Sequence, residues 1–145
     1  MISTVKSILN WLRGHKKRSF KAAETDLKGA PVHARTKTYS SETGYVYQYV
    51  YRGYRGLPGL SGTQFVFEAT RDRAAKFTIA VSLLQSNLAE CEQRIGRELA
   101  STERYALAKM TLFSAFDTIT ALGPHSRPLV PEAAQMEEQL RVLGR

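Results

Sequence analysis

Eight consecutive residues in the first half of the chain alternate between tyrosine and other side chains. The tyrosines are Tyr45, Tyr47, Tyr49 and Tyr51, and the residues between them are Val46, Gln48, Val50 and Arg52. Because successive side chains of an extended strand point to opposite faces, this alternation predicts a β-strand with one aromatic face. Such a strand needs partner strands and a layer that covers its rings. The run therefore restricts the chain to folds that contain a sheet.

Three further segments are predicted to be the partner strands. Residues 32–39 show a weak extended pattern, whereas residues 63–70 and 76–83 alternate apolar and polar side chains on either side of a turn at residues 71–74. We expect these last two segments to form a hairpin in the core of the sheet. Residues 53–62 carry glycine at every third position and are predicted to be a loop, because three triplets are far too few for a collagen helix.

Helical spacing of apolar residues replaces the alternation in the rest of the chain. A first helix is predicted from an apolar stripe that includes Cys91, with Asn87 and Glu90 as an N-terminal capping box. A second helix is predicted at residues 101–122, and a short third helix begins at Pro131. Strands followed by helices predict an α+β fold, in which a mostly antiparallel sheet of three to four strands packs against two or three C-terminal helices.

The N-terminal part of the chain has a different pattern. Residues 2–13 place apolar side chains at helical spacing and predict a short amphipathic helix, which at about twelve residues needs a surface to pack against. The residues that follow have few apolar side chains and no steady period, which predicts a mobile arm. We therefore divide the chain into a basic helix and arm at residues 1–31, an α+β domain at 32–122, and a linker with a short helix at 123–145.

The basic charge of the protein is concentrated near its N-terminus. The chain of 145 residues has 21 basic and 13 acidic side chains and a formal net charge of +8. Residues 1–40 hold nine Lys or Arg against two acids, whereas residues 63–145 hold ten of each sign. A basic segment attached to a neutral domain attracts polyanions at one end. The candidate partners are nucleic acid, an anionic membrane surface and an acidic protein patch.

Other classes of protein fit the sequence less well. One cysteine, Cys91, is too few for an intramolecular disulfide and indicates a reducing compartment, so we expect a cytoplasmic protein. The three histidines are scattered and the glycine segment lacks the ending of a phosphate-binding loop, so the sequence predicts no enzyme, cofactor or metal site. No run approaches the eighteen or so apolar residues that a membrane span needs.

These features favour a small non-enzymatic intracellular protein that associates with DNA or RNA, mostly without sequence preference. The predicted backbone contacts come from Arg13, Lys16, Lys17, Arg18 and Lys21 of the arm. Further contacts are predicted from the sheet, at Tyr47, Tyr49, Arg52 and Arg55. The two tyrosine rings would stack on bases and the two arginines would hold phosphates. In the simpler interpretation the tyrosine rings pack under a helix and serve only the fold.

Alternative functions remain open from sequence alone. The protein could be an interaction or adaptor module, homodimeric in one version, that binds through its terminal amphipathic helices. It could contact an anionic membrane peripherally through Trp11 and the basic cluster that follows, although we rank this below nucleic acid. The basic segment also fits a solvated tail or an organellar transit peptide.

Overall fold

The structure, a computed structural model, describes residues 27–145. It contains a four-stranded antiparallel sheet in the order β1-β2-β3-β4, followed by three α-helices. The strands are β1 (Lys37–Ser40), β2 (Val46–Gly56), β3 (Gly62–Arg71) and β4 (Phe77–Leu84). The helices are α1 (Gln85–Ile95), α2 (Ser101–Thr118) and α3 (Ala133–Val142). The predicted α+β architecture is confirmed, and the predicted helix at residues 2–13 lies outside the described residues.

The tyrosine-bearing face of β2 lies against the helices. Tyr47 has no exposed surface and Tyr49 is 5% exposed. Tyr51 pairs with Phe67 of β3, which pairs in turn with Ile79 of β4, so one apolar row crosses three strands. The predicted alternation is confirmed, because directly paired residues of neighbouring strands share a face. The residues between the tyrosines lie on the opposite face of the sheet.

The loop after β2 is shorter than predicted. Gly56 still pairs with Thr63, so only residues 57–61 connect β2 to β3. The prediction of a loop over residues 53–62 is therefore wrong at both ends. The glycines of residues 53–62 suggested a loop, but glycine also occurs within strands, at bulges and at close backbone contacts.

Gly53 occupies such a bulge. The register between β2 and β3 shifts between Tyr51 and Gly53, and Gly53 has a φ of +122°. A Cβ atom at this position would lie 2.5 Å from the carbonyl oxygen of Lys28. Glycine is needed here for two reasons, the backbone angle and the close approach of the segment that precedes β1.

The turn between β3 and β4 falls at residues 71–74, as predicted. Asp72 and Arg73 both adopt positive φ angles, and the Ala74 amide donates to the Arg71 carbonyl at 3.0 Å. The Asp72 carboxylate also accepts a hydrogen bond of 2.9 Å from the Val46 amide. The turn is thereby tied to the start of β2.

Three predicted helix termini are wrong, and for the last helix the difference is that it begins at Ala133 and not at Pro131. α1 begins two residues before Asn87, whose side-chain amide donates to the Pro131 carbonyl at 3.2 Å instead of capping the helix. α2 ends at Thr118 and not at Leu122, because Ile119 is extended. Ile119 and both its neighbours are β-branched, which lowers helix propensity. Tertiary contacts also act at the start of α1 and at the end of α2, since the Arg71 guanidinium donates to the Thr120 carbonyl at 2.7 Å.

The C-terminal segment completes the core. Met136 of α3 is fully buried and Leu140 is 1% exposed, and both pack in one cluster with residues of α1 and α2. Ahead of α3, Leu129 forms a parallel bridge with Val81 of β4. Residues 129–142 therefore share the core of the preceding domain. In the part of the chain that the structure describes, none of the helices has the length and hydropathy that crossing a bilayer requires.

Candidate functional site

Charge is distributed unevenly between the sheet and the helices. Residues 27–84 carry eight Lys or Arg and three acids, a net charge of +5. Residues 85–145 carry seven basic and eight acidic side chains, a net charge of −1. The basic residues of the first part are Lys28, Arg35, Lys37, Arg52, Arg55, Arg71, Arg73 and Lys76. The sheet and the segment before it therefore carry the net positive charge of the described residues.

Several cations of the helical layer are paired with carboxylates. Arg94 lies 3.6 Å from Glu90 and 3.8 Å from Glu137, and Arg141 contacts Glu137 at 3.4 Å. Arg97 forms two hydrogen bonds to the Glu103 carboxylate, at 2.9 and 2.8 Å. Three of the seven basic side chains in residues 85–145 are thus paired with acids.

The sheet face opposite the helices carries Arg52. Its guanidinium lies 2.8 Å from Glu68, and Lys76 lies 3.7 Å from the same carboxylate. Two cations thus share one acid beside a shallow depression of about 310 Å³ lined partly by Gln48 and Thr70. The hydrogen bond from Arg52 lowers the pKa of Glu68, so this carboxylate stays charged at neutral pH. The group as a whole keeps an excess positive charge.

Arg55 is held in place by a polar row that crosses the sheet. Its Nε donates to Gln64 Oε1 at 2.9 Å, and Gln64 Nε2 donates to Ser82 Oγ at 3.0 Å. Gln64 and Ser82 are both buried. Arg55 is therefore positioned by the sheet.

The predicted arm joins the molecule next to these arginines. Lys28 and Tyr54 exchange two backbone hydrogen bonds of 2.8 Å, which attach the chain to the second half of β2. Arg52 and Arg55 lie two residues before and one residue after this bridge. The predicted arm contacts Arg13, Lys16, Lys17, Arg18 and Lys21 fall outside the described residues.

The two predicted tyrosine contacts need correction. The Tyr47 ring stacks on Phe116, with centroids 4.0 Å apart, and the Tyr49 ring packs edge-on against Phe67 and Phe113. Both tyrosines are covered by α2, so neither presents a ring face on which a base could stack. The simpler interpretation of the tyrosine row, packing under a helix, describes these two residues.

Signs of catalytic or metal chemistry are weak in the described part of the chain. His33 and His125 are exposed, and residues 27–145 contain no group of three or more His, Cys, Asp or Glu that could hold a metal ion. Cys91 is buried in α1, where burial raises the pKa of its thiol and makes the thiolate scarce.

The adaptor alternative names two terminal helices. The apolar stripe of α3, which includes Ala133, Met136 and Leu140, is buried against its own chain. Val142 and Leu143 at the end of this helix are exposed. The other element of that hypothesis, the predicted helix at residues 2–13, is outside the described residues.

Sequence reasoning missed one row of residues on α2. Tyr105, Lys109, Phe113 and Asp117 follow each other at intervals of four and face the β1 and β2 edge of the sheet. The four-residue spacing in the sequence could have identified this row, because side chains four residues apart lie on the same side of a helix. Tyr105 and Phe113 are the aromatic members of this row, and Lys109 and Asp117 are its charged members. Lys109 lies with its ammonium 5.8 Å from both neighbouring ring centroids.

Comparison of the chain with protein-family models, with curated proteins and with solved structures finds no significant match.

Proposed function

We propose that this protein is a small non-enzymatic nucleic-acid-binding protein that holds phosphate groups with its basic N-terminal segment and with cations of the sheet. The observation that carries the proposal is the charge difference between the sheet part, at +5, and the helical part, at −1. An uneven distribution of charge attracts a polyanion to the positive part of the molecule and orients it there.

The attachment of the arm supports the same surface. The bridge between Lys28 and Tyr54 brings the end of the basic segment to the strand that carries Arg52 and Arg55. A phosphate backbone bound by the arm would therefore run close to the arginines of the sheet. Arg35 and Arg73 belong to the same part of the chain, and neither forms an ion pair within residues 27–145.

Contacts to phosphate carry no base information, so the proposed binding is largely independent of sequence. The protein is proposed to bind both single-stranded and double-stranded nucleic acid, because both present regularly spaced phosphates. A cytoplasmic location and a role as a nucleic-acid accessory protein belong to the same proposal. Base stacking by Tyr47 and Tyr49 is no longer part of it.

Charge-neutralising variants of the full chain test the proposal. Replacing Arg13, Lys16, Lys17, Arg18 and Lys21 together by Gln should weaken binding to a random oligonucleotide. It should also reduce the salt dependence by about 0.7 in log–log slope for each single-strand phosphate contact that is lost.

A matched pair of double variants separates the sheet from the helices. Arg52→Gln with Arg55→Gln should weaken oligonucleotide binding, whereas Arg94→Gln with Arg141→Gln should leave it unchanged because those arginines belong to the helical part, whose net charge is −1. Equal losses in the two double variants would contradict a binding surface on the sheet side.

A further inference from the structure

Helix α2 faces the sheet edge through four successive contacts that follow its interval of four residues. At one end, the rings of Tyr105 and Tyr51 meet at 4.8 Å between centroids. Two turns further along, the ring of Phe113 stacks on Tyr39 at 4.6 Å with the planes 8° apart. These are complementary contacts of aromatic rings.

The last contact of the row is also complementary. Asp117 Oδ2 accepts a hydrogen bond of 2.7 Å from the Tyr39 hydroxyl, and Oδ1 accepts one of 3.0 Å from the Glu42 amide. The carboxylate thus has partners on both oxygen atoms.

The remaining contact brings two positive charges together. Lys37 pairs with Tyr49 and Tyr39 pairs with Tyr47, so Lys37 and Tyr39 lie on the helix-facing side of β1. Lys109 lies one turn before Phe113 on α2, and Phe113 stacks on Tyr39. Lys37, two residues before Tyr39, therefore faces Lys109.

The surroundings of Lys109 agree with this placement. Burial lowers the pKa of Lys109, and the nearby charge of Lys37 lowers it further. No acid of the described residues offsets these effects. Neither lysine forms an ion pair with a described carboxylate. Two facing ammonium groups repel each other, and an anion between them would remove this repulsion.

We propose that Lys37 and Lys109 form a binding site for an oxyanion of the phosphate class, located between β1 and α2 beside the rings of Tyr105 and Phe113. Lysine binds phosphate as a point charge with three donors, and two such groups can hold different oxygen atoms of one anion. The partly buried position of Lys109 strengthens the attraction relative to that of an exposed lysine.

The bound phosphate could belong to a nucleic acid or to a small molecule, and the chemistry of the site is the same for both. In the first case the site adds a fixed contact to the surface proposed above. In the second case the site does not depend on the proposed nucleic-acid binding.

Thermal unfolding in inorganic phosphate tests the site on the full chain. Phosphate should raise the midpoint temperature of thermal unfolding of the wild-type protein above its value in chloride at equal ionic strength, because a ligand that binds only the folded state stabilises that state. We call this difference in midpoint temperature the phosphate increment. Lys109→Gln and Lys37→Gln should each weaken phosphate binding about tenfold, by removal of one charge-assisted donor. Arg127→Gln, at an exposed position between α2 and α3 and outside the proposed surface, should keep the full phosphate effect.

A charge reversal keeps the test valid if a neutral variant folds poorly. Lys37→Glu replaces the repulsion by an ion pair with Lys109, so it should unfold at a higher temperature than the wild type without phosphate and lose the phosphate increment. The proposal is overturned if wild type shows no increment over chloride, or if Lys37→Glu and Lys109→Gln retain it.

Oligonucleotide binding identifies the source of the phosphate. Weaker binding of a single strand by the two Gln variants supports a nucleic-acid phosphate, and unchanged binding together with a lost phosphate increment supports a small molecule. If wild type binds no oligonucleotide but keeps the phosphate increment, the proposed function fails and the site stands.

Discussion

The ring of Tyr47 lies parallel to the ring of Phe116, 4.0 Å apart between centroids with the planes inclined by 10°. Both side chains are fully buried, so the contact joins the centre of β2 to α2. At Tyr47, the row of alternating tyrosines therefore lies in the interior of the protein. The proposed binding therefore relies on cations and not on these two rings.

Removal of the Phe116 ring should destabilise the protein strongly. Phe116→Ala leaves a cavity against the Tyr47 ring, and such changes in a core cost about 3–5 kcal/mol of unfolding free energy. Tyr47→Phe is the matched control, since the Tyr47 hydroxyl forms no hydrogen bond within the described residues and its loss should change stability by less than about 0.5 kcal/mol. Urea unfolding measures both. A Tyr47→Phe variant as unstable as Phe116→Ala would contradict a contact based on the rings.

The hydrogen bond between Tyr39 and Asp117 has a spectroscopic signature. Burial and this hydrogen bond raise the pKa of Tyr39 to about 12. Asp117→Asn removes the negative charge and should bring the pKa of Tyr39 down toward its ordinary value of 10. Titration of tyrosinate absorbance in the ultraviolet follows the change. An unchanged titration in Asp117→Asn would show that burial alone sets this pKa.

Glu103 should make the folded state sensitive to acid. Its hydrogen bonds from the Arg97 guanidinium and the Ala100 amide lower its pKa from 4.5 to about 2. A pKa that is lower in the folded state stabilises the fold above pH 4.5, and this stabilisation is lost as the pH falls from 4.5 toward 2. Urea midpoints between pH 2 and pH 6 should therefore fall less steeply in Glu103→Gln than in wild type. Glu98→Gln, whose side chain has no ion pair within residues 27–145, should follow the wild-type curve.

Much of the fold follows from local patterns. The alternation of Tyr47 and Tyr49, the hairpin turn at Asp72 and the burial of Cys91 are set by short-range periodicity and turn chemistry, and the structure confirms them. The failures are those in which a distant segment decides. Asn87 does not cap α1 because it bonds to the carbonyl of residue 131, and β2 runs through Gly53 because the segment at Lys28 packs on it.

The candidate site was harder to predict than the fold. Arg52 and Arg55 could be chosen from sequence because they end a recognisable strand. The facing of Lys37 and Lys109 depends on the register of β1 and on the angle at which α2 crosses it, and no local pattern contains either.

Gly53→Ala should weaken the attachment of the arm to the sheet. The new methyl group would meet the Lys28 carbonyl oxygen, and the φ of +122° is unfavourable for alanine. We expect a loss of about 1–3 kcal/mol in unfolding free energy and faster hydrogen exchange of the Lys28 and Tyr54 amides. Gly56→Ala is the control, because that position has open space around it. Unchanged protection of both amides in Gly53→Ala would contradict the requirement for glycine at this position.

The salt dependence of oligonucleotide binding tests the central claim most directly. Affinity of the wild-type protein for a random single strand is measured across a series of KCl concentrations. Binding by the five candidate arm cations and the sheet arginines predicts a straight line in log affinity against log salt, with a slope of about −3 or steeper. A slope near zero, or no binding at low salt, would contradict the account.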